Sequence, residues 1–227
     1  MKKIALGLLL SNWVLFLLAQ PTNIISTKKQ YQISIDSNSQ KKIININKII
    51  PTIILDLRYG TINNFTKTKL YKNANTTYMR MAPANALLQV QNYFANKGLG
   101  IKVFDAYRPY TATKLMWNLI QDDRYVANPK NGSNHNRGLA IDLTIINLKT
   151  LEEIDMGTAF DNFTDTAHHS FTHLAAKVLE NRKLLKTTME LFGFIAFDTE
   201  WWHYSWSNNQ NYEVIDLSFT KLKRIVK

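Results

Sequence analysis

Residues 133–145 read Ser-Asn-His-Asn-Arg-Gly-Leu-Ala-Ile-Asp-Leu-Thr-Ile, and this stretch predicts how the fold is built around its strongest strand. From residue 139 onward, apolar positions alternate with small or polar ones: Leu139, Ile141, Leu143 and Ile145 against Ala140, Asp142 and Thr144. Alternation with a period of two is typical of a β-strand with one face against the core. Asp142 is therefore expected to point away from the apolar face, with His135 just before the strand.

The remaining pattern predicts strands and helices in irregular order, separated by turn-rich loops. We predict strands over residues 52–57, 101–106 and 194–199, a helix from Pro83 to a cap at Gly98, and helices over 111–121 and 173–192. Residues 60–77, rich in Asn and Thr, are predicted to be a loop. This order favours the α+β class, with a mostly antiparallel central sheet and flanking helices. A chain of 227 residues fits a single domain.

The amino terminus has the composition of a secretory signal. Lys2 and Lys3 precede an apolar run that ends near Ala19, so residues 1–19 are predicted to be a signal peptide and the protein to be exported to the periplasm. Leu17 is a poor residue for the cleavage site, which leaves an uncleaved membrane anchor as the alternative. Residues 20–48 are predicted to be a leader or an edge-strand arm, and residues 49–227 the main domain.

The charge and the cysteine content limit which macromolecular partners and which metal ligands are expected. The net charge is +11, and loss of Lys2 and Lys3 on cleavage would leave +9. No basic helix with interleaved aromatic residues appears, so a nucleic-acid partner is not expected, whereas a lysine-rich solvated surface or association with an anionic cell envelope fits. Cysteine is absent, which excludes thiolate metal ligands and leaves His and carboxylates.

A second segment, Glu200-Trp201-Trp202-His203-Tyr204, complements the first. Together the two segments offer two imidazoles, a carboxylate ligand and a spare carboxylate, which is the set that a hydrolytic zinc site requires. Taken alone, His135 and Asp142 are better explained as a surface histidine and a solvated aspartate, and the second segment is what favours a site. In a straight strand Glu200 and His203 would face opposite sides, so a turn or bulge is predicted at the paired tryptophans.

With these motifs, the chain resembles the VanX-type D-alanyl-D-alanine dipeptidases, a branch of the zinc D-Ala-D-Ala peptidases. The resemblance runs from about Ile43 to Phe219 and rests on the two segments above and on further motifs in the same order: Asn64-Phe65 with Tyr71, Asp105-Ala106-Tyr107-Arg108-Pro109, Met156-Gly157-Thr158-x-Phe160-Asp161, and His168-His169.

The resemblance implies a role for each matching residue. It makes one Zn²⁺ per chain the cofactor and free D-Ala-D-Ala the substrate, with the zinc ligands His135, Asp142 and His203. Glu200 is the implied catalytic base and Arg108 the implied oxyanion-stabilising group. The implied substrate-binding residues are Asp161 for the ammonium group, Ser133 on the carboxylate side and Tyr71 in the pocket lining. From chemistry alone, Asp161 is as well explained by a loop or helix-cap role.

Three alternatives remain open at this point. A carboxypeptidase acting on cell-wall peptides would use nearly the same ligands, and a non-catalytic metal-binding wall module would keep the fold without the chemistry. The third is a nucleic-acid binder, which only the charge supports. His168, His169 and His173 lie close together in sequence and invite a second metal, but the resemblance gives them no ligand role, so they are predicted to be structural.

Overall fold

The computed structural model describes residues 21–72 and 74–226, so the predicted signal peptide lies outside the described part. The strands are β1 (Ile24–Ile25), β2 (Ile43–Asn45), β3 (Ile54–Leu55), β4 (Tyr78–Arg80), β5 (Leu99–Asp105), β6 (Ala140–Asn147), β7 (Ile195–Phe197), β8 (Glu200–Ser205) and β9 (Val214–Ile215). The helices are α1 (Lys28–Ser37), α2 (Ile46–Ile49), α3 (Met81–Ala95), α4 (Tyr110–Leu119), α5 (Asn134–Arg137), α6 (Ala176–Leu191) and α7 (Phe219–Ile225).

A five-stranded sheet in the order β3-β5-β6-β8-β7 forms the centre of the fold. Only β3 and β5 run parallel, and the other three pairings are antiparallel. The predicted α+β class is confirmed, with a mixed rather than a purely antiparallel sheet. The seven residues from Ala140 to Ile146 are all buried, because structure covers both faces of β6.

Residues 21–48 join the domain through two small sheets. β1 pairs in parallel with β9, and β2 pairs with β4 in antiparallel register. Tyr31, Ile43 and Ile46 of this segment belong to the main hydrophobic core. The Tyr31 hydroxyl oxygen accepts the Ile43 N–H at 3.0 Å, which ties α1 to β2. The segment therefore packs against the rest of the domain.

The predicted helices are present, with shifted ends. α3 begins at Met81, two residues before Pro83. Proline is tolerated in the first turn, because the N–H group that it lacks would have no partner within the helix there. Its predicted apolar face is buried, and Gly98 follows it at a φ of 71°. α6 begins at Ala176, three residues later than predicted, because Ala175 is extended. The loop over residues 60–77 has no α-helix or β-strand in its described part.

No helix in the described part of the chain has the length and apolarity needed to cross a bilayer. The strand predicted over residues 52–57 is limited to β3, since the chain turns into a short 3₁₀ helix at Arg58. α3 packs on β5, and α6 packs on β7 and β8. The cavity described below lies beside β6 and β8, at the end of the sheet where α5 begins.

Candidate metal centre and active site

A single turn of helix, α5, positions His135. Ser133 caps it through an oxygen that accepts the His135 N–H at 3.0 Å, and Asn136 Oδ1 accepts the Ser133 N–H at 2.9 Å in return. Gly138 ends the turn at a φ of 70°. A Cβ atom at Gly138 would lie 3.0 Å from Ile43 Cδ1 and 3.3 Å from the Arg80 nitrogen, so only glycine fits this exit into β6.

Strand pairing brings Asp142 and His203 together. The two residues are direct partners in the antiparallel pairing of β6 and β8. Against β7, however, the register of β8 skips: Ala196 pairs with Tyr204, and the next residue, Phe197, pairs with Glu200. Residues 201–203 are therefore an insertion opposite one step of β7, and the predicted bulge at the tryptophans is confirmed. It lets Glu200 and His203 approach the same point.

Three side chains, which we call the metal triangle, present their ligand atoms to one point, with one atom of each within 4.8 Å of the others. His135 Nε2 lies 3.2 Å from His203 Nδ1 and 3.4 Å from Asp142 Oδ2, and the other oxygen of the same carboxylate, Oδ1, lies 2.9 Å from His203 Nδ1. Atoms bound tetrahedrally at about 2.0–2.1 Å from zinc lie about 3.3 Å from one another. Within the described residues, these three are the only group of His, Cys, Asp and Glu with metal-binding geometry. Their spacing and donor types fit Zn²⁺.

The outer nitrogens of both histidines have fixed partners. His135 Nδ1 lies 2.7 Å from the Ala106 carbonyl oxygen, and His203 Nε2 lies 3.1 Å from Ser205 Oγ. A carbonyl can only accept, so His135 Nδ1 carries the proton and Nε2 keeps its lone pair for a metal. The Ser205 hydroxyl can accept a proton from His203 Nε2, which is the tautomer that a metal at Nδ1 requires.

The charges of the triangle match a cation. Burial disfavours ionisation of Asp142, but His135 and His203 outweigh it and hold the pKa of that carboxyl below its usual range. Burial also lowers the pKa of His203. An anionic carboxylate and a neutral imidazole are the protonation states that bind zinc.

Glu200 lies beside the triangle without belonging to it. Its Oε2 atom is 3.8 Å from His203 Nδ1, and the residue is 7% exposed. Burial raises the pKa of Glu200 well above its usual value, and the nearby Asp142 and Asp161 carboxylates raise it further. A carboxylate with a raised pKa is a stronger base and can also return the proton that it accepts.

Arg108 is held between two carboxylates with one side of its guanidinium turned toward the cavity. Nε donates to Asp105 Oδ2 at 2.7 Å, and Nη2 is 3.7 Å from Asp142 Oδ2. The Tyr59 ring covers the guanidinium at 4.8 Å. Burial alone would lower the pKa of Arg108, but Asp105 outweighs it and raises it, so the group stays cationic.

Tyr71 does not occupy the position expected for a pocket residue. It is not among the described residues that line the cavity. Its hydroxyl instead donates to Asp105 Oδ1 at 2.7 Å, and the same carboxylate binds Arg108 through its other oxygen. Tyr71 therefore lies behind Arg108 and fixes its carboxylate partner, and it does not form part of the cavity lining as predicted.

Asp161 presents a carboxylate oxygen without a protein partner. Its Oδ1 atom accepts the Tyr59 hydroxyl at 2.7 Å, whereas Oδ2 is buried and has no hydrogen-bond partner among the described residues. Burial raises the pKa of Asp161 to about 7. Buried polar atoms are nearly always paired, so the orphan oxygen indicates a missing donor. A bound ammonium group would supply that donor.

The cavity has a volume of about 280 Å³, and the functional side chains that line it are Arg108, His135, Asp142, Asp161, Glu200 and His203. Ser133 lines it as well as capping α5. Three aromatic rings from three loops form part of its rim: Phe163 lies 5.1 Å from Phe65 and 4.9 Å from Tyr125. We call these three residues the aromatic rim. The Tyr59 ring, which holds Asp161, is 6.0 Å from Phe65.

The three clustered histidines take no part in the metal triangle. His168 accepts from Arg182 through its carbonyl oxygen, and the His169 N–H donates to the Asp198 carbonyl at 2.9 Å. Burial lowers the pKa of His169 to about 4, so its ring is neutral at pH 7. Their backbones connect the loop before α6 to the turn between β7 and β8.

Comparison with protein families gives the context of this geometry. Residues 39–222 match the family model described as Peptidase_M15, D-ala-D-ala dipeptidase. The chain belongs to this peptidase family. The resemblance stated from the motifs is thereby confirmed, and membership makes the protein a peptidase whose candidate metal centre is built from residues of the expected types.

Curated relatives cover most of the chain. A D-alanyl-D-alanine dipeptidase of Escherichia coli (strain K12) is 30% identical over 179 residues, which are 79% of this chain and 92% of the relative. A D-alanyl-D-alanine dipeptidase of Enterococcus faecium is 33% identical over 181 residues, 70% of this chain and 88% of that protein. Among solved structures, VanYB in complex with D-Alanine-D-Alanine is 16% identical, with a TM-score of 0.40 over 66% of this chain and 80% of that one.

Proposed function

We propose that this protein hydrolyses free D-Ala-D-Ala to two molecules of D-alanine with one Zn²⁺ per chain. Family membership and the names of the curated relatives support the reaction. The observation that carries the substrate assignment is the buried, unpartnered Oδ2 atom of Asp161 at the cavity wall. A free dipeptide carries an ammonium group that can donate to this atom, whereas an acylated nitrogen inside a longer peptide lacks the charge.

His135, Asp142 and His203 would hold the zinc ion, with one ligand atom of each already within 4.8 Å of the others. Bound zinc supplies Lewis acidity, which polarises a carbonyl group and lowers the pKa of water. The fold contributes the rest by fixing the His135 tautomer, placing a hydroxyl partner at His203 Nε2 and keeping Asp142 ionised. The three groups need little rearrangement to bind a cation.

Glu200 is the proposed general base. As a buried carboxylate with a raised pKa, it accepts a proton from the attacking water and then returns it to the leaving amine. The negative charge that develops on the peptide oxygen requires a fixed cation in a dry site. Arg108 meets this need, because Asp105 fixes its Nε and leaves its terminal nitrogens toward the cavity.

The aromatic rim supports a dipeptidase over a carboxypeptidase. Asp161 and Phe163 belong to one loop, and Phe65 contacts both Phe163 and the Tyr59 ring that holds Asp161. The ammonium end of the substrate would therefore lie near these rings. A further residue attached to that nitrogen would have to pass the rim. The Ser133 hydroxyl, whose proton is not used in capping, is the proposed donor to the substrate carboxylate.

The deciding experiment combines metal analysis with two substrates. We expect about one zinc per chain and cleavage of D-Ala-D-Ala, with little or no cleavage of its N-acetylated form or of a pentapeptide ending in D-Ala-D-Ala. Cleavage of the pentapeptide without the dipeptide would establish the carboxypeptidase alternative. Zinc binding without hydrolysis of either would establish the non-catalytic module.

We also propose that residues 1–19 direct export, so that the enzyme works in the cell envelope. The support is the charged start and apolar run of this segment. Fractionation of cells that express the full chain tests the location. Recovery of the protein in the cytosol with an intact amino terminus would contradict it.

A further inference from the structure

Charge is unevenly distributed along the chain. Residues 37–104 and 217–227 contain 14 of the 28 basic residues but only one of the 17 acidic residues. The rest of the chain holds as many basic residues and nearly all of the acids. The net charge of +11 therefore belongs to two segments and is not spread over the molecule.

The fold brings these two segments together on one surface. Lys72 and Lys221 line the same groove beside Phe219, and Lys223 lines the adjoining groove with Thr76. Thr76 Oγ1 bonds to Asn45 and Asn47, which places the exposed Lys48 next to them. We define the basic face by six exposed residues: Lys48, Lys72, Lys221, Lys223 and Arg224, together with Lys69, which precedes the groove residue Leu70 in sequence.

These six cations are not neutralised by the protein. None of them forms an ion pair with a carboxylate in the described part of the chain, unlike Lys41, Arg58 and Lys102, which do. α7 packs through Phe219 and Leu222, both buried, and presents Lys221, Lys223 and Arg224 to solvent. Holding unpaired like charges together costs stability, so the arrangement indicates an anionic partner.

The amino-terminal segment leaves the domain beside this face. β1 is paired in parallel with β9, which runs directly into α7. Lys221 Nζ lies 3.4 Å from the Ser26 carbonyl oxygen, so the start of the described chain touches α7. In the sequence, the apolar run led by Lys2 and Lys3 precedes this point by only a few residues. Before cleavage of the signal, or in the alternative of an uncleaved anchor, a membrane engaged by that run would lie close to the basic face.

We propose that the basic face docks on an anionic phospholipid surface. Clustered lysines and arginines next to an apolar segment attract negatively charged headgroups, and the attraction falls with salt. None of the six residues lines the active-site cavity. Docking would therefore leave the cavity open to a small substrate.

The test uses the full chain and vesicles of two compositions, with and without phosphatidylglycerol in phosphatidylcholine. Sedimentation should show stronger binding to the anionic vesicles, with the excess lost at high salt. Each basic residue near such a surface strengthens binding by about fivefold, so Lys221→Glu with Lys223→Glu and Arg224→Glu should weaken it by about a hundredfold or more. Hydrolysis of D-Ala-D-Ala should be unchanged and serves as the folding check.

The matched control changes net charge equally at another site. Lys177, Lys183 and Lys186 lie on α6 among Glu180 and Glu190, and their triple change to Glu should leave vesicle binding nearly intact. Equal loss in both triple variants would show that total charge alone matters and would overturn the proposal. So would equal binding to neutral vesicles, or a preference of the basic face for duplex DNA over anionic vesicles.

Discussion

His135 Nε2 and His203 Nδ1 lie 3.2 Å apart, although 68 residues separate them in sequence. Two neutral imidazole lone pairs at this distance repel each other unless a proton or a cation lies between them. A cation bound between the two rings would remove this repulsion, and Asp142 adds a carboxylate ligand at the same point.

Chelation of zinc should destabilise the protein. We expect the chelator to lower the thermal unfolding midpoint by several degrees and added zinc to restore it, because a ligand bound only to the folded state stabilises that state. His135→Ala should unfold at the same temperature with and without the chelator. Equal sensitivity in this variant would place the metal elsewhere.

Glu200→Gln should keep zinc and lose activity. The amide has the same shape but cannot accept a proton, so we expect kcat to fall by about 10²–10⁴-fold while zinc content stays near one per chain. Glu153→Gln, which changes an acid that pairs with Lys102 at the surface, is the control and should be fully active. An active Glu200→Gln enzyme would exclude this base.

Arg108→Lys should lower kcat much more than it raises KM. Lysine keeps the charge but cannot hold Asp105 through a side nitrogen while presenting others to the cavity, so a loss of about 10²–10³-fold in kcat is expected. Arg58→Lys disrupts a similar pair with Asp56 outside the cavity and should have little effect on kcat. A change confined to KM would assign Arg108 to substrate binding alone.

Asp161→Asn should raise KM for D-Ala-D-Ala and change the pH dependence of stability. Asparagine tolerates the φ of 62° at this position, so backbone strain does not confound the result. Because burial raises the pKa of Asp161 to about 7, its contribution to stability is complete below pH about 4 and is lost as the pH rises through 7.

The variant has no group to ionise at this position. In the absence of substrate, the free energy of unfolding of the wild type should therefore fall relative to that of the variant as the pH rises from 4 to 8, as measured by denaturant titrations. A constant difference across this range would show that Asp161 does not titrate there. An unchanged KM would show that Asp161 does not bind the ammonium group of the substrate.

Ser205→Ala should weaken zinc binding by about 10–100-fold, which is the typical effect of removing a hydrogen-bond partner from a ligating histidine. Competition with a chromogenic chelator measures the affinity directly. Ser205→Thr keeps the hydroxyl and should restore most of the affinity. Ser207→Ala, at an exposed position two residues away, is the matched control. An unchanged affinity in Ser205→Ala would show that the His203 tautomer needs no support.

The strand pattern and the motif residues could be predicted from sequence because each has a local signal. The alternation in β6 identifies the strand, and the conflict between Glu200 and His203 in a straight strand requires the bulge that the register shows. Helix ends were less accurate, since Pro83 is tolerated inside the first turn of α3. The sequence signal for the two ends of a helix is weak, because the capping residue and the extended residues beside it depend on contacts with neighbouring elements.

Partners across the sheet could not be predicted. Tyr59, which holds Asp161 and covers Arg108, lies in a turn with no recognisable pattern. Asp105 belongs to a motif, but no role for it could be predicted, because its contacts with Arg108 and Tyr71 form only in the folded loop. Ser205 is an ordinary strand residue until its pairing with β7 and β6 turns it toward His203.

The three extra residues of β8 opposite β7 have a consequence for folding. Deleting or adding one residue between Glu200 and Tyr204 would leave the flanking ladder able to form, yet it would rotate either the glutamate or the histidine out of the cavity. A misaligned hairpin would therefore give a well-packed but inactive protein. Hydrolytic activity in refolding experiments should accordingly appear later than bulk secondary structure, and it reports the moment at which this hairpin finds its correct alignment.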